Sequence, residues 1–509
     1  MDFHVSLTGR GDLSARIYRQ LLDAVLDGRL RPGERLTPTR ELARRLDVSR
    51  NTVAVAYERL TAEGVLVGRV GAGTFVCAEP LARTRARNAP AGGGVRPRRL
   101  WRSPDASPDA SPDASPDASP DASPDASPDA SPDEAEGEPV YDFRVGLPDA
   151  ELFPLETWRR LVARELRPAL VRSAGYGAPS GHAGLREAIA RHVGVSRSVR
   201  ASADDVLVTQ GAQQALDLIG RVMIEPGCRV AVEEPGYPRA RLLFQSLGAR
   251  VVGVPVDGEG LDVAALPDSA RLVYVTPSHQ FPLGTPMSLG RRTALLEWAG
   301  RRGAVVIEDD YDSEFRFEDR PLEPLQSLDR SGHVIYVGSF SKTMLPMLRL
   351  GFLIAPASLQ PALRAAKRLT DWSGELPTQA ALAGFIDEGL LGRHVRKATR
   401  EYAARHERIL TILRRDFRDW LEPVPSAAGL HLCAHLTPDA GVDTALVTAY
   451  ARESGIGLQD LAAYYGEAPA RAGLVLGYGA IPLERIEPGL RRLAENFREA
   501  GKSHGRSFR

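Results

Sequence analysis

Lys342 stands in the segment Gly338-Ser339-Phe340-Ser341-Lys342, just past the apolar run 334–337, with Arg349 a few residues on. A lysine amine can form a Schiff base with an aldehyde, and the Ser339 hydroxyl and Arg349 guanidinium can hold a phosphate. Groups of complementary chemistry end other apolar runs. In Ile307-Glu308-Asp309-Asp310-Tyr311 an acid and a phenol are two residues apart, so on a strand Asp309 and Tyr311 share one face. Thr209-Gln210-Gly211-Ala212-Gln213 follows another run and opens a helix. The backbone N–H groups of Ala212 and Gln213 would there face an anion, assisted by the helix dipole. Tyr237, in Glu234-Pro235-Gly236-Tyr237, offers a flat ring. Asp309 would pair with a ring nitrogen, Tyr311 with a phenolic oxygen, and Tyr237 would stack. Together with an amine and phosphate donors, these are the requirements of pyridoxal 5′-phosphate.

These residues need a scaffold that brings distant strand ends together. The runs 206–208, 229–232, 272–275, 304–307 and 334–337 are short and almost wholly apolar, which marks strands buried on both faces of a mostly parallel sheet. Helical stretches between them predict an α/β fold. From about residue 380 the pattern turns mainly helical with a few strands, as in a smaller C-terminal subdomain. The cofactor-binding domain is expected over 140–505.

A second kind of chemistry lies near the N-terminus. Residues 14–28 have helical periodicity and stop at Gly28, Thr39–Leu46 reads as a second helix, and Arg50–Glu63 as a third, with Ser49 placed to cap it. Short strands at 65–67 and 74–76 flank Gly71-Ala72-Gly73. Helix, helix–turn–helix and hairpin is the order of a winged helix, expected over residues 1–78. The third helix of such a head lies in the major groove, its first residues against base edges. Those residues are Arg50, Asn51 and Thr52, and Arg and Asn read guanine and adenine by paired hydrogen bonds. Val53, Val55 and Leu60 would hold the helix to its neighbours. Arg40 would grip a phosphate or base, and Gly71 and Gly73 would let a wing tip approach the DNA backbone.

Residues 79–139 read as an unstructured spacer, Arg-rich at first and then a Ser-Pro-Asp-Ala repeat from Ser103 to Asp133. Proline at every fourth position forbids a helix, and nothing in the repeat is apolar enough to form a core. The chain has 509 residues and a formal net charge of zero, so it is not coated with basic patches. Residues 1–78 nevertheless carry twelve Arg against nine acids, and 79–102 seven Arg against one Glu, which puts any nucleic-acid contact toward that end. Three scattered cysteines suit a reducing cytoplasm and form no CxxC pair. No apolar run approaches the roughly 20 residues of a membrane span, and no secretory leader is visible.

The stretch 28–43, Val48-Ser49-Arg50-Asn51-Thr52-Val53, Ala56–Leu60 and 71–76 resembles the GntR family. The series from Thr209 to Arg349 resembles the fold-type I aminotransferases, and the whole order is similar to the MocR subfamily of regulators. The resemblance implies DNA contacts at Arg40, Ser49, Arg50, Thr52 and Gly71. It implies phosphate contacts at Ala212, Gln213, Ser339 and Arg349, stacking by Tyr237, Asp309 at the ring nitrogen, Tyr311 at its oxygen and the Schiff base at Lys342. Where aminotransferases have Asn-Pro-x-Gly, this chain has Ser278-His279-Gln280-Phe281-Pro282-Leu283-Gly284, which leaves open whether His279 or Gln280 approaches the cofactor oxygen. Arg239 and, more weakly, Arg471 are expected to hold an effector carboxylate or sulfonate.

The expected function is a DNA-binding transcription regulator that senses a small amino compound or pyridoxal phosphate, as a head-to-tail homodimer on a double-stranded operator, with neither metal nor membrane. The alternative is a true aminotransferase carrying a DNA-binding head. Residual half-reaction chemistry is open in either case.

Overall fold

A computed structural model describes residues 13–26, 28–69, 73–77, 89–90, 95–98, 101, 138–168, 175–317, 323–426, 428–466 and 471–507. The head comprises α1 (Leu13–Leu26), α2 (Thr39–Leu46), α3 (Arg50–Ala62) and the antiparallel hairpin β1 (Leu66–Arg69) and β2 (Gly73–Val76). Asp47 adopts a left-handed conformation (φ 52°) that ends α2 and turns the chain into α3. Ile17, Leu21, Val53 and Leu60 are buried in the head core. Val55 is not: it is 43% exposed. At about 100° per residue, a position two past Val53 points away from the core, and Ala56 and Tyr57 fill it instead. Gly71 lies outside the described residues.

The body begins with β3 (Tyr141–Asp142), α4 (Leu155–Glu165) and α5 (Ala183–Arg197). Its sheet is built from β4 (Val206–Thr209), β5 (Arg229–Glu234), β6 (Arg250–Asp257), β7 (Gly260–Leu261), β8 (Ala270–Val275), β9 (Val305–Asp310), β10 (Val334–Ser339) and β11 (Gly351–Ile354). The strand order is β4-β11-β10-β9-β8-β5-β6-β7. Strands β10, β9, β8, β5 and β6 run parallel, while β11 lies antiparallel between β10 and β4. The five expected strands are all present, and β6, β7 and β11 complete the sheet. Between strands run α6 (Gly211–Met223), α7 (Pro238–Ser246), α8 (Leu289–Arg302) and α9 (Leu325–Leu328). Apolar layers on the two sides of the sheet bury both faces, which explains the absence of alternation in its strands. Helices α10 (Gln360–Thr370), α11 (Leu376–Asp387) and α12 (Leu390–Asp416) lead to the smaller subdomain. There β12 (Leu421–Pro423), β13 (His431–Leu436), β15 (Gln459–Asp460) and β16 (Gly473–Gly477) form an antiparallel sheet, while β14 (Ile456–Gly457) pairs with β3.

The spacer reading of 79–139 needs correction at its Arg-rich end. Ala89 donates its N–H to Asp205 (3.0 Å), Arg98 its N–H to the Val222 carbonyl (2.8 Å) and Trp101 its indole N–H to the Arg221 carbonyl (3.1 Å). Val95 is buried and Trp101 packs on the body core. These residues have apolar surface to bury where the repeat has none, so they strap the chain to the body. Ser103–Asp133 lie outside the described residues.

Candidate cofactor site and DNA-reading surface

The ends of β9 and β10 and the start of α6 converge. Lys342, three residues beyond β10, donates from Nζ to the Gly146 carbonyl (2.6 Å). Gly146 is glycine of necessity: its φ is +90°, and a Cβ there would lie 2.7 Å from Nζ. Arg349 donates to the Gln210 carbonyl (2.9 Å) and lies against Gly211, where a Cβ would meet its Nη2 at 2.9 Å. Its guanidinium thus stands over the first turn of α6, beside the backbone N–H groups of Ala212 and Gln213. The Ser339 hydroxyl accepts from the Ser341 N–H (3.1 Å), keeping its own proton to donate.

Asp309 is buried at the end of β9 and takes a hydrogen bond from the Tyr274 hydroxyl on Oδ2 (2.8 Å), while Oδ1 has no partner. Burial pushes its carboxyl up to about 7, and the nearby charge of Lys342 pulls against that rise. A buried carboxylate oxygen without a donor is costly, so the site suits a ligand that brings a cationic N–H to it. The residues therefore fit a phosphorylated pyridine aldehyde: an amine, an unsatisfied acid and an anion cradle, with the Tyr237 ring set edge-on to Phe281 (5.7 Å, 90°).

The residue after Asp309 has a different role. Asp310 pairs with Arg197 at 2.9 Å, both deeply buried, and accepts from the Tyr336 hydroxyl (2.5 Å). The Arg197 guanidinium holds the Asp310 carboxyl below its usual range, although burial alone would raise it. Arg197 also bonds Ser278 (2.7 Å), fixing the back of the pocket.

Of the two residues left open, Gln280 is spent on the loop. Its amide donates to the carbonyls of Pro235 and Phe281 (both 2.8 Å) and its oxygen accepts from the Leu283 N–H (3.1 Å). His279 instead lies 3.0 Å from the Tyr311 hydroxyl. Arg239 is exposed on the first turn of α7, and Arg471 is exposed just before β16, its charge bearing on Cys433 and His435. Sequence reading missed Gly146, Tyr274 and the Arg197–Asp310 pair. Tyr274 carried a faint signal, a phenol in an otherwise apolar strand; Gly146 and Arg197 are far away in the chain and carried none.

On the head, Ser49 caps α3 by accepting the Thr52 N–H (3.1 Å), and the two hydroxyl oxygens are 2.8 Å apart. Arg40, Arg50 and Asn51 are exposed, so the start of α3 is open to a ligand in the groove. The far end of α3 is docked. Arg59 donates to the carbonyls of Ile386 (2.8 Å) and Asp387, and Arg19 of α1 pairs with Asp387 at 3.2 Å. A cavity of about 350 Å³ separates head from body beside this contact, away from Lys342.

Residues 13–76 match the bacterial regulatory proteins of the gntR family, and residues 141–466 match the aminotransferases of class I and II. The probable rhizopine catabolism regulatory protein MocR of Rhizobium meliloti is 36% identical over 95% of this chain and 93% of its own length. The HTH-type transcriptional regulator TauR of Rhodobacter capsulatus is 34% identical over 97% of this chain and 99% of its own. A multiple substrate aminotransferase from Thermococcus profundus matches in structure with a TM-score of 0.67 and 30% identity, covering 72% of this chain and 93% of that one. The curated relatives extend over head and body alike, and the chain belongs to the MocR subfamily of GntR-type transcriptional regulators, in which a winged helix is fused to an aminotransferase fold.

Proposed function

We propose that this regulator holds pyridoxal 5′-phosphate on Lys342 and uses it to sense an amino compound, or the cofactor itself, changing how the head binds a double-stranded operator. The observation that carries the reading is the buried Asp309 oxygen without a partner, close enough to Lys342 to feel its charge. When bound, the cofactor supplies an aldehyde at which one amine can replace another. Asp309 would hold the ring nitrogen protonated, Tyr311 would contact the phenolic oxygen and Tyr237 would stack. Ala212, Gln213, Ser339 and Arg349 would hold the phosphate. Lys342, once displaced by an incoming amine, would carry charge or take a proton. That local change biases the body between two arrangements, and the docked end of α3 is a route by which the head responds.

Arg239 and Arg471 are the proposed effector contacts, for a carboxylate or sulfonate. Arg40, Ser49, Arg50, Thr52 and Gly71 are the proposed DNA contacts. A head-to-tail homodimer in the cytoplasm is the proposed working form; no described helix is long and apolar enough to cross a membrane. The same groups support a slow transamination half-reaction, but a sequence-reading head has no role in a metabolic enzyme.

Lys342→Ala tests the reading. The purified variant should lose the visible absorbance of covalently held cofactor and the effect of amines on operator binding, while ligand-free DNA binding remains. Amine control that persists unchanged in the variant refutes it, and sustained turnover with a keto acid in the wild type would favour the aminotransferase.

A further inference from the structure

We infer that His279, held by Asp312, is a positioning residue that turns the Tyr311 hydroxyl proton toward the phenolic oxygen of the bound cofactor. This rests on the pyridoxal phosphate reading above.

His279 is 2% exposed and its ring nitrogens meet oxygens on both sides. Nδ1 lies 3.0 and 3.1 Å from the two Asp312 oxygens and 3.0 Å from the Tyr311 hydroxyl; Nε2 lies 3.1 Å from the Ser426 hydroxyl. An ionised carboxylate only accepts, so Nδ1 carries a proton and shares it between Asp312 and Tyr311. The Tyr311 oxygen therefore meets a donor at His279. Its own hydrogen cannot go there and remains to be given elsewhere. Whether Nε2 accepts from Ser426 or donates to it, the Nδ1 proton stays, so the orientation of Tyr311 survives either state of the ring.

The surroundings keep this arrangement fixed. Gly429 has φ +83°, and a Cβ there would come within 2.1 Å of the His279 ring. Phe281 meets Tyr311 edge-on (5.7 Å, 88°), and His431 stacks on it (6.4 Å, 23°). The motif difference supplies the need. Phe281-Pro282-Leu283-Gly284 puts a phenyl where the Asn-Pro-x-Gly pattern has an amide. A phenyl donates nothing, so the remaining donor to that oxygen must be well aimed. His279, Asp312 and His431 place their ligand atoms within 4.8 Å of one another, as a cation site would. Their hydrogen bonds already have partners, however: Nδ1 is engaged by Asp312, and His431 Nε2 lies 3.1 Å from the Pro282 carbonyl, to which it donates. The titratable groups whose charge bears on Tyr311 are Asp312, Asp309, Glu233 and Tyr478, with His431 against its ring.

The test is the pH at which the visible spectrum of the bound cofactor changes, measured in full-length protein reconstituted with pyridoxal 5′-phosphate. Losing one hydrogen bond to a charged oxygen should raise that pH by about one to two units in Tyr311→Phe. His279→Ala and Asp312→Asn should move it the same way, by about one unit or less. His279→Asn, whose amide nitrogen can occupy the place of Nδ1, should restore most of the shift. Melting temperatures without cofactor report folding separately, and Asp312→Asn leaves no hole. Unmoved transitions in both His279→Ala and Asp312→Asn, with Tyr311→Phe displaced, would overturn the assignment while leaving the cofactor reading intact. A wild-type protein that takes up no cofactor would overturn both. A spectral change on adding Zn²⁺ that His279→Ala abolishes would show a cation site and overturn the orienting role.

Discussion

The head and the body handle charge in opposite ways. On the head, Arg40, Arg50 and Asn51 are exposed, and recognition there depends on long-range attraction to a polyanion followed by contacts at base edges. In the body the acids are out of water, although Arg349 of the anion cradle is exposed. Burial pushes Glu233, Glu308 and Asp309 up to about 7, and Glu314 to about 8. A DNA-reading surface keeps its charges hydrated until contact, whereas the body buries its acids, most of them paired within the protein, and leaves Asp309 with one oxygen open. The contrast predicts that operator binding weakens steeply with salt, while cofactor affinity responds little.

The largest effect should come from breaking the buried pair behind the pocket. Asp310→Ala leaves the Arg197 guanidinium buried without its carboxylate, a change expected to cost the body about 3–5 kcal/mol. Calorimetry should show the body transition falling while the head transition stays; a shift of the head alone would contradict the division. Next, Arg50→Ala should weaken operator binding by about 1–3 kcal/mol and relax base choice at one position, with cofactor uptake unaltered. Equal losses on operator and unrelated DNA would make Arg50 a phosphate contact instead.

The raised acids set a pH test. Each binds more protons folded than unfolded, so stability from these groups is present at low pH and falls as pH rises through the folded value near 7. The depressed histidines His406 and His435, near 4, act oppositely, but only below the ordinary value of 6.5. The cofactor-free protein should therefore lose melting temperature between about pH 6.5 and 8. Asp309→Asn should flatten that slope, and bound cofactor should flatten it too by giving Asp309 a cation. The smallest expected effect is in the head: Ser49→Ala removes the α3 cap and should cost about 1 kcal/mol, measured on the head transition.

Much of this was legible in the order of residues. The five strands, the helix–turn–helix and the Ser49 cap follow from apolar runs and from short polar side chains at helix starts, which act over neighbouring residues. The strap at Val95 and Trp101 was not legible, because a few apolar residues amid Arg, Gly and Pro show no period. The exposure of Val55 was legible, since a position two past Val53 on the expected helix is turned about 200° from the core, but the apolar residue type was read ahead of the period.

The sequence by itself determined the chemical inventory: an amine, an acid and a phenol at strand ends, an anion cradle at a helix start, and a groove-reading helix with its cap. Backbone geometry places those groups from local pattern alone. Only the tertiary structure decided that Gly146 receives Lys342, that Asp310 serves Arg197 while Asp309 keeps an open oxygen, and that His279 serves Tyr311 while Gln280 braces a loop. Most of those choices are contacts between segments far apart in the chain, made by close packing in a buried interior, and no local periodicity encodes such a contact.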